Sequence, residues 1–578
     1  MSEKTVRGFE IQEQAQAGRA DLEAFAYSLR HNAYEEDEHF RGLVAGYAGD
    51  DRRDDLEAAL RSFGEVVMRE LDDVVRQNNE PGNLPRLKRW SGHGRRIEEV
   101  EHHPTYERAG ELIYGSGVMA AFEEHPNMMG VLSRFYLSSL NGEAGHNCPV
   151  ACTAGVIRVL QELADDELRE RFLPRFLDPD FKTNFTGAQF LTEIQGGSDV
   201  GANGVRAEPA DDGSWRIVGE KWFCSNIDAD VFLMTARIED LGDGTRGLGL
   251  FLVPRELENG EVNHFFVRRL KDKLGTRSMA SGEADFAGAV AYHMGEVGQG
   301  FKHMMNLVIN TSRLFNAVGC CSMLRRSFVS ARAYAHHRRA FGQPIVNYPL
   351  VQETLANVRA ETEGLLSGTM HLMALQDRLD AGDAGEQERA FFRMALNLNK
   401  TTTAREARWA CVEAIEVLGG NGAIETFSVV PRLLRDAIVF ENWEGTHNTL
   451  YMQVLRDMKR YQVHQGYFGY LQELIDEARD GESALADELS GYLEQVRART
   501  EETLELPVPT ASLAMRRLVD DLSYIFYATV RVWEQATFEA DPSARSRAAL
   551  EQFLDRHLRG GVDAGSADYL ERIALLAE

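Results

Sequence analysis

Apolar and charged positions follow a helical period over the first part of the chain. From Ala17 to about Pro179 the text reads as amphipathic helices, as in LRSFGEVVMRELDDVV, where apolar residues recur every three or four positions. Such a stripe is what a helix buries against its neighbours. The pattern therefore predicts a helical N-terminal part.

The pattern changes at KTNFTGAQFLTEIQGGSDV, where Gly and Thr become frequent. Short runs with a period of two, or with continuous apolar character, follow in WRIVGEKW, DVFLMTARI and GLFLVPREL, bounded by Asp-Gly or Asn. Runs of this length with such boundaries are typical of strands. We predict a compact β domain over 186–290.

Helical periodicity returns after GEVGQGF. One predicted helix carries a buried stripe, and a second runs from about Glu388 to Leu418 and ends at GGNG, where glycine supplies positive φ. Past Lys459 another helical stretch is broken at LPVPT. The stripe comprises Leu355, Val358, Thr362, Leu365, Leu366, Thr369, Leu372 and Met373.

These patterns predict a mainly α protein with a central β domain. We divide it into an N-terminal helical domain (1–185), the β domain (186–290), a helical bundle (291–460) and a C-terminal helical extension (461–578). The extension is acidic, since residues 464–578 hold 11 Arg or Lys against 22 Asp or Glu.

Composition narrows the function. With 578 residues, 44% of them hydrophobic, the chain can bury several cores, and its formal charge of −27 disfavours non-specific nucleic-acid binding. The six cysteines show no disulfide spacing, which favours reduced thiols in a cytoplasmic enzyme. The N-terminus lacks an apolar signal core, and no apolar run reaches about 18 residues, so we expect no membrane span.

Two segments around the start of the β domain could bind a ligand. Leu191–Val200 (LTEIQGGSDV) combines paired glycines with hydroxyls, which lets a backbone approach a flat or anionic group, although an ordinary turn reads the same way. It matches neither a Rossmann nor a Walker spacing. Trp222, in GEKWFCSN, offers an aromatic face beside polar groups, and core packing is the alternative.

Three later segments carry further candidates. The bend AHHRRAFGQP presents guanidinium groups suited to a pyrophosphate, or simply a solvated helix end. VLGGNG precedes NWEGTHN, in which Glu444 stands between Trp and Gly-Thr. Burial of that loop would raise the pKa of Glu444 towards a value useful for a general base, whereas a helix cap or salt bridge is the alternative. His447 could tune this loop or lie at the surface.

Other segments carry weaker signals. HNCPVAC has too few ligands for a metal site and reads as a helix start with Pro149 near its first turn. We predict no metal site. Cys320 and Cys321 read as small core residues of a bundle helix.

The order and spacing of these segments resemble the acyl-CoA dehydrogenase flavoprotein superfamily and, within it, the AidB-like branch. The resemblance runs from His103 to Arg460 and is looser outside that range. It rests on HPTYERAGELIYGSGVMAAF, CPVACTAG, LTEIQGGSDV, VGEKWF, RLKDKLGTRSMAS, AHHRRAFGQPI, EVLGGNG and NWEGTHN.

The resemblance implies a helical N-domain, a central β-barrel and a four-helix bundle, with FAD extended between subunits of a homodimer or homotetramer. It implies Glu444 as the base and Arg313 as a substrate contact. Arg338, Gly419 and Gly420 would serve the cofactor of a neighbouring subunit. The implied cofactor-binding set is Thr192, Gly197, Ser198, Trp222, Ser225, Arg338, Phe341, Gly419, Gly420, Thr446 and Asn448.

The chain departs from the family pattern at several positions. Cys224 stands where many relatives have a Thr that bonds flavin N5, with Ser225 as a substitute, and Glu416 stands where a Gln is common. Ser312 occupies the alternative base position of some members, which leaves Glu444 as the candidate. A DNA-protective role proposed for AidB-like proteins rests on a basic C-terminal region, whereas this one is acidic.

We therefore expect an FAD-dependent dehydrogenase that forms an α,β double bond in an acyl-CoA, by proton removal at Glu444 and hydride transfer to flavin N5. Electrons would pass to an electron-transfer flavoprotein or a similar acceptor. The alternative is an AidB-like flavoprotein that binds acyl-CoA, or less readily DNA, with little turnover.

Overall fold

The N-terminal part is helical, as the pattern predicts. The structure is a computed structural model that describes residues 13–538 and 543–578. The N-terminal helices are α1 Glu13–Ser28, α2 Glu38–Tyr47, α3 Arg53–Val66, α4 Asp72–Asn78, α5 Pro104–Tyr114, α6 Met128–Ser139, α7 Ala144–Leu163 and α8 Asp166–Leu177.

A β-hairpin interrupts these helices, whereas the sequence pattern predicted only helices in this part of the chain. Strands β1 (Arg86–Trp90) and β2 (Arg96–Glu101) pair antiparallel. Their residues are mostly charged and exposed, and Val100 is the apolar residue that the hairpin buries against the β domain. Without an apolar alternation the hairpin leaves no period-two signal in the sequence.

The β domain lies between the helical parts, as predicted. The strands are β3 Gly187–Phe190, β4 Arg206–Pro209, β5 Trp215–Ser225, β6 Val231–Arg237, β7 Leu248–Pro254, β8 Phe265–Leu270 and β9 Ser281–His293. Their order in the sheet is β3-β6-β4-β5-β9-β7, and β8 pairs with β9. Strand β6 also pairs with β7, so the sheet closes into a barrel.

Both faces of the central strands are buried. On β6, Phe232 and Met234 belong to the barrel interior, whereas Val231 and Leu233 pack into the large helical core. Successive side chains of a strand point to opposite faces, so a strand covered on both sides reads as a continuous apolar run. This explains why DVFLMTARI shows little alternation.

The bundle follows the barrel. Every residue of the predicted stripe is buried, on helix α11 (Pro349–Ala381). Helix α12 (Glu386–Leu418) is followed by Gly419, whose φ of 59° stops the helix as predicted. The short strands β10 (Arg339–Ala340) and β11 (Gln343–Pro344) form the bend after α10. The helices are α9 Gly300–His303, α10 Asn310–His337, α11 Pro349–Ala381, α12 Glu386–Leu418, α13 Val430–Phe440 and α14 His447–Tyr461, and a π-helical turn Met304–Ile309 joins the first two.

The run Gly300–His337 has the length and hydropathy of a membrane-crossing helix, and it is the one such run in the described residues. In the structure, however, 89% of its apolar window is buried inside the protein. Its apolar character therefore serves the bundle core.

The C-terminal helices pack on the bundle. They are α15 Val463–Glu505, α16 Val508–Thr537, α17 Ala544–His557 and α18 Ala567–Ala577. Helix α15 packs against α16 and α12, while α17 and α18 pack against α11. The buried Glu361 of α11 accepts from Arg556 Nε at 2.9 Å and pairs with His557, which fixes α17 to the bundle.

A close backbone approach joins the barrel to the bundle. A Cβ at Gly275 would lie 2.2 Å from the carbonyl oxygen of Arg435, so only glycine fits there. Next to it the Thr276 backbone N–H donates to Asp436 Oδ1 at 2.6 Å. This contact sets the position of α13 and hence of the loop that follows it.

Candidate active site

The loop between α13 and α14 carries Glu444 in an unusual backbone conformation. Its φ is 55°, in the left-handed region, and Gly445 has a φ of 110°. Residues other than glycine and asparagine rarely adopt such backbone angles, and these angles persist where surrounding contacts impose them.

Two buried cations hold this loop through its carbonyl oxygens. Arg313 Nε of α10 donates to Glu444 O at 3.1 Å. Lys400 Nζ of α12 donates to Glu441 O at 3.0 Å and to Gly445 O at 2.9 Å. Burial lowers the pKa of Lys400 to about 8 and that of Arg313 to about 10. The loop is therefore clamped between two bundle helices.

Arg313, which the resemblance implies as a substrate contact, is buried in the bundle. It is 3% exposed, and its other nitrogens contact Asn397 Oδ1 at 2.8 Å and Gln453 Oε1 at 3.2 Å. Its donors point to the loop and to neighbouring helices, so within the chain Arg313 holds the loop in position. Its substrate contact stays a prediction.

The Glu444 carboxylate lies in a partly buried position. Gln189 Nε2 of β3 donates to its Oε1 at 3.0 Å. Burial raises the pKa of Glu444 to about 6, although Arg313, Lys400 and the Gln189 bond oppose the rise. Such a carboxylate is ionised at neutral pH yet basic enough to accept a proton.

The glycine-rich segment meets the Glu444 loop across the barrel–bundle boundary. Ser198 Oγ lies 3.2 Å from Thr449 Oγ1, which in turn lies 3.0 Å from Thr446 Oγ1. The Trp222 backbone N–H donates to Thr192 O at 2.9 Å. The structure thus brings Thr192, Ser198, Trp222 and Thr446 to one region, and Gly197 and Asn448 are exposed on the same two segments.

A buried ion pair shapes the glycine segment, and sequence reasoning missed it. Lys221 Nζ lies 2.7 Å from Glu193 Oε1, with side chains 0% and 2% exposed. Glu193 Oε2 also accepts from the Gly204 backbone N–H at 2.6 Å. Glu193 stands in LTE and Lys221 in GEKW. Charged residues within these otherwise strand-like stretches were the signal that could have indicated a buried ion pair.

Around Trp222, a cation lies over the indole ring, and one of the two nearby residues suggested for flavin contact is buried. Lys271 Nζ lies 3.6 Å from the Trp222 ring centroid. Cys224 is buried in the barrel interior, where burial raises the pKa of its thiol to about 12. Ser225 is partly exposed and pairs with Ser281 of β9, so of these two residues Ser225 is the one open to a ligand.

A second group of predicted residues lies at the far end of the bundle. Arg338, Gly419 and Gly420 are exposed, and Phe341 is 97% exposed with a φ of 52°. Asn421 Nδ2 donates to Tyr334 Oη at 3.1 Å, which joins the GGNG turn to the end of α10. At about 1.5 Å per residue, the α10 segment from Arg313 to His337 separates the two groups by about 36 Å.

In the HNCPVAC segment, the structure corrects the prediction that Pro149 lies near the first turn of its helix. Helix α7 begins at Ala144, so Pro149 lies beyond the first turn. Proline cannot donate to the Gly145 carbonyl one turn earlier, and Tyr106 Oη donates to that oxygen at 3.3 Å instead. Within residues 13–538 and 543–578 no group of three potential metal ligands occurs.

Two further residues of the site, Gln189 and Lys400, were also missed by sequence reasoning. Each is a long polar residue within an otherwise buried stretch: Gln189 lies in strand β3 (GAQF), and Lys400 follows ALNLN in α12. A buried polar side chain needs partners. That signal could have pointed to both.

Comparison with known proteins gives the same picture. Three family models match: the AidB N-terminal domain over 26–183, the acyl-CoA dehydrogenase middle domain over 188–289 and the acyl-CoA dehydrogenase C-terminal domain over 298–459. The putative acyl-CoA dehydrogenase AidB of Escherichia coli is 30% identical over 491 residues, which is 83% of this chain and 88% of the relative.

Two solved structures extend the comparison. The Caenorhabditis elegans protein ACDH-11, in complex with C11-CoA, has a TM-score of 0.84 at 25% identity and covers 92% of this chain and 91% of its own. An acyl-CoA dehydrogenase from Bacillus anthracis, complexed with FAD, shares the fold with a TM-score of 0.66 at 17% identity, covering 92% of each chain.

Helical layers around a closed barrel are the architecture that this chain shares with the acyl-CoA dehydrogenases of these comparisons. The chain belongs to the acyl-CoA dehydrogenase family, and its N-terminal match places it in the AidB-like branch.

Proposed function

We propose that the protein is an FAD-dependent acyl-CoA dehydrogenase that forms an α,β double bond in an acyl thioester, with Glu444 as the base. The observation that carries the proposal is the clamped, partly buried Glu444 carboxylate, whose pKa burial raises to about 6. The relatives support the substrate and the cofactor, since one was solved with C11-CoA and another with FAD.

The residues around the glycine segment suit a dinucleotide in their donor chemistry. A Gly-Gly-Ser turn with exposed Gly197 and Ser198, the hydroxyls of Thr192 and Thr446, and the Trp222 indole offer hydrogen bonds and a ring contact. When bound there, FAD supplies the acceptor for the hydride that leaves the β-carbon. The chain's own residues hold the cofactor and the thioester in place.

Glu444 performs the proton step. Its ionised carboxylate removes the proton from the α-carbon and keeps it, while negative charge develops on the thioester oxygen. In the described part of the chain the Glu444 backbone N–H donates to no protein acceptor, so it is available to that oxygen. Arg313 and Lys400 hold the loop that carries both groups through its carbonyl oxygens.

Substitution of Glu444 tests this proposal. Glu444→Gln keeps the size and polarity of the side chain but removes the base, so the protein should stay yellow and lose anaerobic bleaching by acyl-CoA. Glu170→Gln, which changes an exposed carboxylate on α8, is the matched control and should bleach as the wild type does. Unchanged bleaching in Glu444→Gln would assign the base to another residue.

We also propose that two chains complete each cofactor site. The group at Arg338 and Gly419 is too far from Glu444 for side chains of one chain to reach a single reacting centre, as the rise of α10 shows. A monomer that keeps full flavin in light scattering with absorbance detection would contradict this.

A further inference from the structure

Gln189 occupies an unusual place for a long polar side chain. It is the third residue of β3, and its neighbours Ala188 and Phe190 are fully buried in the barrel interior. Because successive strand side chains alternate, Gln189 points to the opposite face, towards the helices. That face is where the Glu444 loop lies.

The Gln189 amide makes contacts with two elements from there. Its Nε2 lies 3.0 Å from Glu444 Oε1 and 3.1 Å from Ser312 Oγ of α10. The Ser312 hydroxyl lies 3.2 Å from Gln189 Oε1. A strand, a bundle helix and the Glu444 loop therefore meet at one amide group.

The other polar groups around Glu444 act differently. Arg313 of α10 and Lys400 of α12 donate to carbonyl oxygens of the loop and reach the carboxylate only through their charge. The Cys152 thiol of α7 also lies near: a hydrogen bond with Cys148, burial and, to a smaller extent, the charge of Glu444 hold its pKa well above the usual range. In residues 13–538 and 543–578, Gln189 is the residue that donates a hydrogen bond to the carboxylate itself.

We infer that Gln189 is a positioning residue for the base: its amide, itself oriented by Ser312, fixes the Glu444 carboxylate and stabilises the ionised form. A donor to a carboxylate favours the charged state, and an amide cannot take the proton away. A fixed carboxylate also spends less time in unproductive rotamers. The inference rests on the proposed role of Glu444.

Replacement of the amide tests this inference. Gln189→Met keeps the length of the side chain and removes the donor. The pH midpoint for Glu444 ionisation should then move upward by about one pH unit. The midpoint is read twice: from the rate of anaerobic flavin bleaching, and from the infrared band of the protonated carboxyl in a difference spectrum against Glu444→Gln, which needs no turnover.

A matched control exists on an exposed helix. Gln472 Nε2 donates to Asp476 Oδ1 on α15 at 3.0 Å, the same length as the Gln189 bond. Gln472→Met should leave both midpoints unchanged. Ser312→Ala, which removes the group that orients Gln189, should shift them in the same direction by less.

A second variant keeps the inference testable if Gln189→Met does not fold. Gln189→Glu has the same shape and places a second carboxylate beside Glu444, so the two would share a proton and the midpoint should rise further. Wild-type midpoints in both Gln189 variants, even with slower bleaching, would overturn the inference and leave only a packing role. Bleaching that survives in Glu444→Gln would instead overturn the proposed function, so the two failures are distinguishable.

Discussion

At the scale of single residues, the site depends on how cations act on one carboxylate. Lys400 is fully buried and does two things at once: it donates to two carbonyl oxygens of the loop, and its charge lowers the pKa of Glu444. Removing it should therefore change both the geometry and the titration of the base.

Lys400→Met should lower the maximal bleaching rate by about tenfold or more, because two carbonyl oxygens of the loop lose their donor. It should also raise the pH midpoint, since a charge that favours ionised Glu444 is gone. In the wild type the rate should increase as pH rises through about 6, where Glu444 loses its proton. Stopped-flow absorbance between pH 5 and 9 measures both.

Lys459→Met is the control, since Lys459 Nζ donates to a single carbonyl, Leu506 O, at 3.2 Å outside the loop. A Lys400→Met protein with the wild-type rate and midpoint would show that the clamp does not act on Glu444.

At the scale of elements, the barrel and the bundle must meet closely for Gln189 to reach Glu444. Gly275 permits that approach, because a Cβ there would lie 2.2 Å from Arg435 O and 2.8 Å from the Asp436 backbone nitrogen. Neither neighbour is the end of a flexible side chain that could move aside. The contact is therefore a sensitive point of the architecture.

Gly275→Ala should destabilise the protein by about 1–3 kcal/mol, since the two elements must separate to admit a methyl group. Gly491→Ala on α15 has no atom within 4 Å of its new Cβ and should stabilise the helix by up to about 1 kcal/mol. Thermal unfolding of both variants measures the opposite signs. Equal stability of Gly275→Ala and the wild type would contradict the close approach.

The elements also show what sequence could predict. Strands and bundle helices with strong periodicity were predicted correctly, including the end of α12 at Leu418, before Gly419, and the break between α15 and α16. The β1–β2 hairpin was missed because charged, exposed residues leave no apolar period. The resemblance pointed to Glu444. The sequence could mark Gln189 and Lys400 as polar residues in buried stretches, but only coordinates identify their partners, which are distant along the chain.

At the scale of the whole molecule, the net charge and the packing of the C-terminal helices bear on what those helices do. The chain carries a formal charge of −27, and its C-terminal helices pack on the bundle. A strongly acidic surface repels nucleic-acid backbones, so we expect the C-terminal helices to contribute to assembly rather than to DNA binding.

The most direct test of the account is an anaerobic titration of the purified wild-type protein with acyl-CoAs of short, medium and long chain, followed by flavin absorbance. The account predicts a yellow protein that at least one chain length bleaches, with an enoyl thioester as the product. A colourless protein that takes up no FAD would contradict it, and so would tight acyl-CoA binding without bleaching at any chain length.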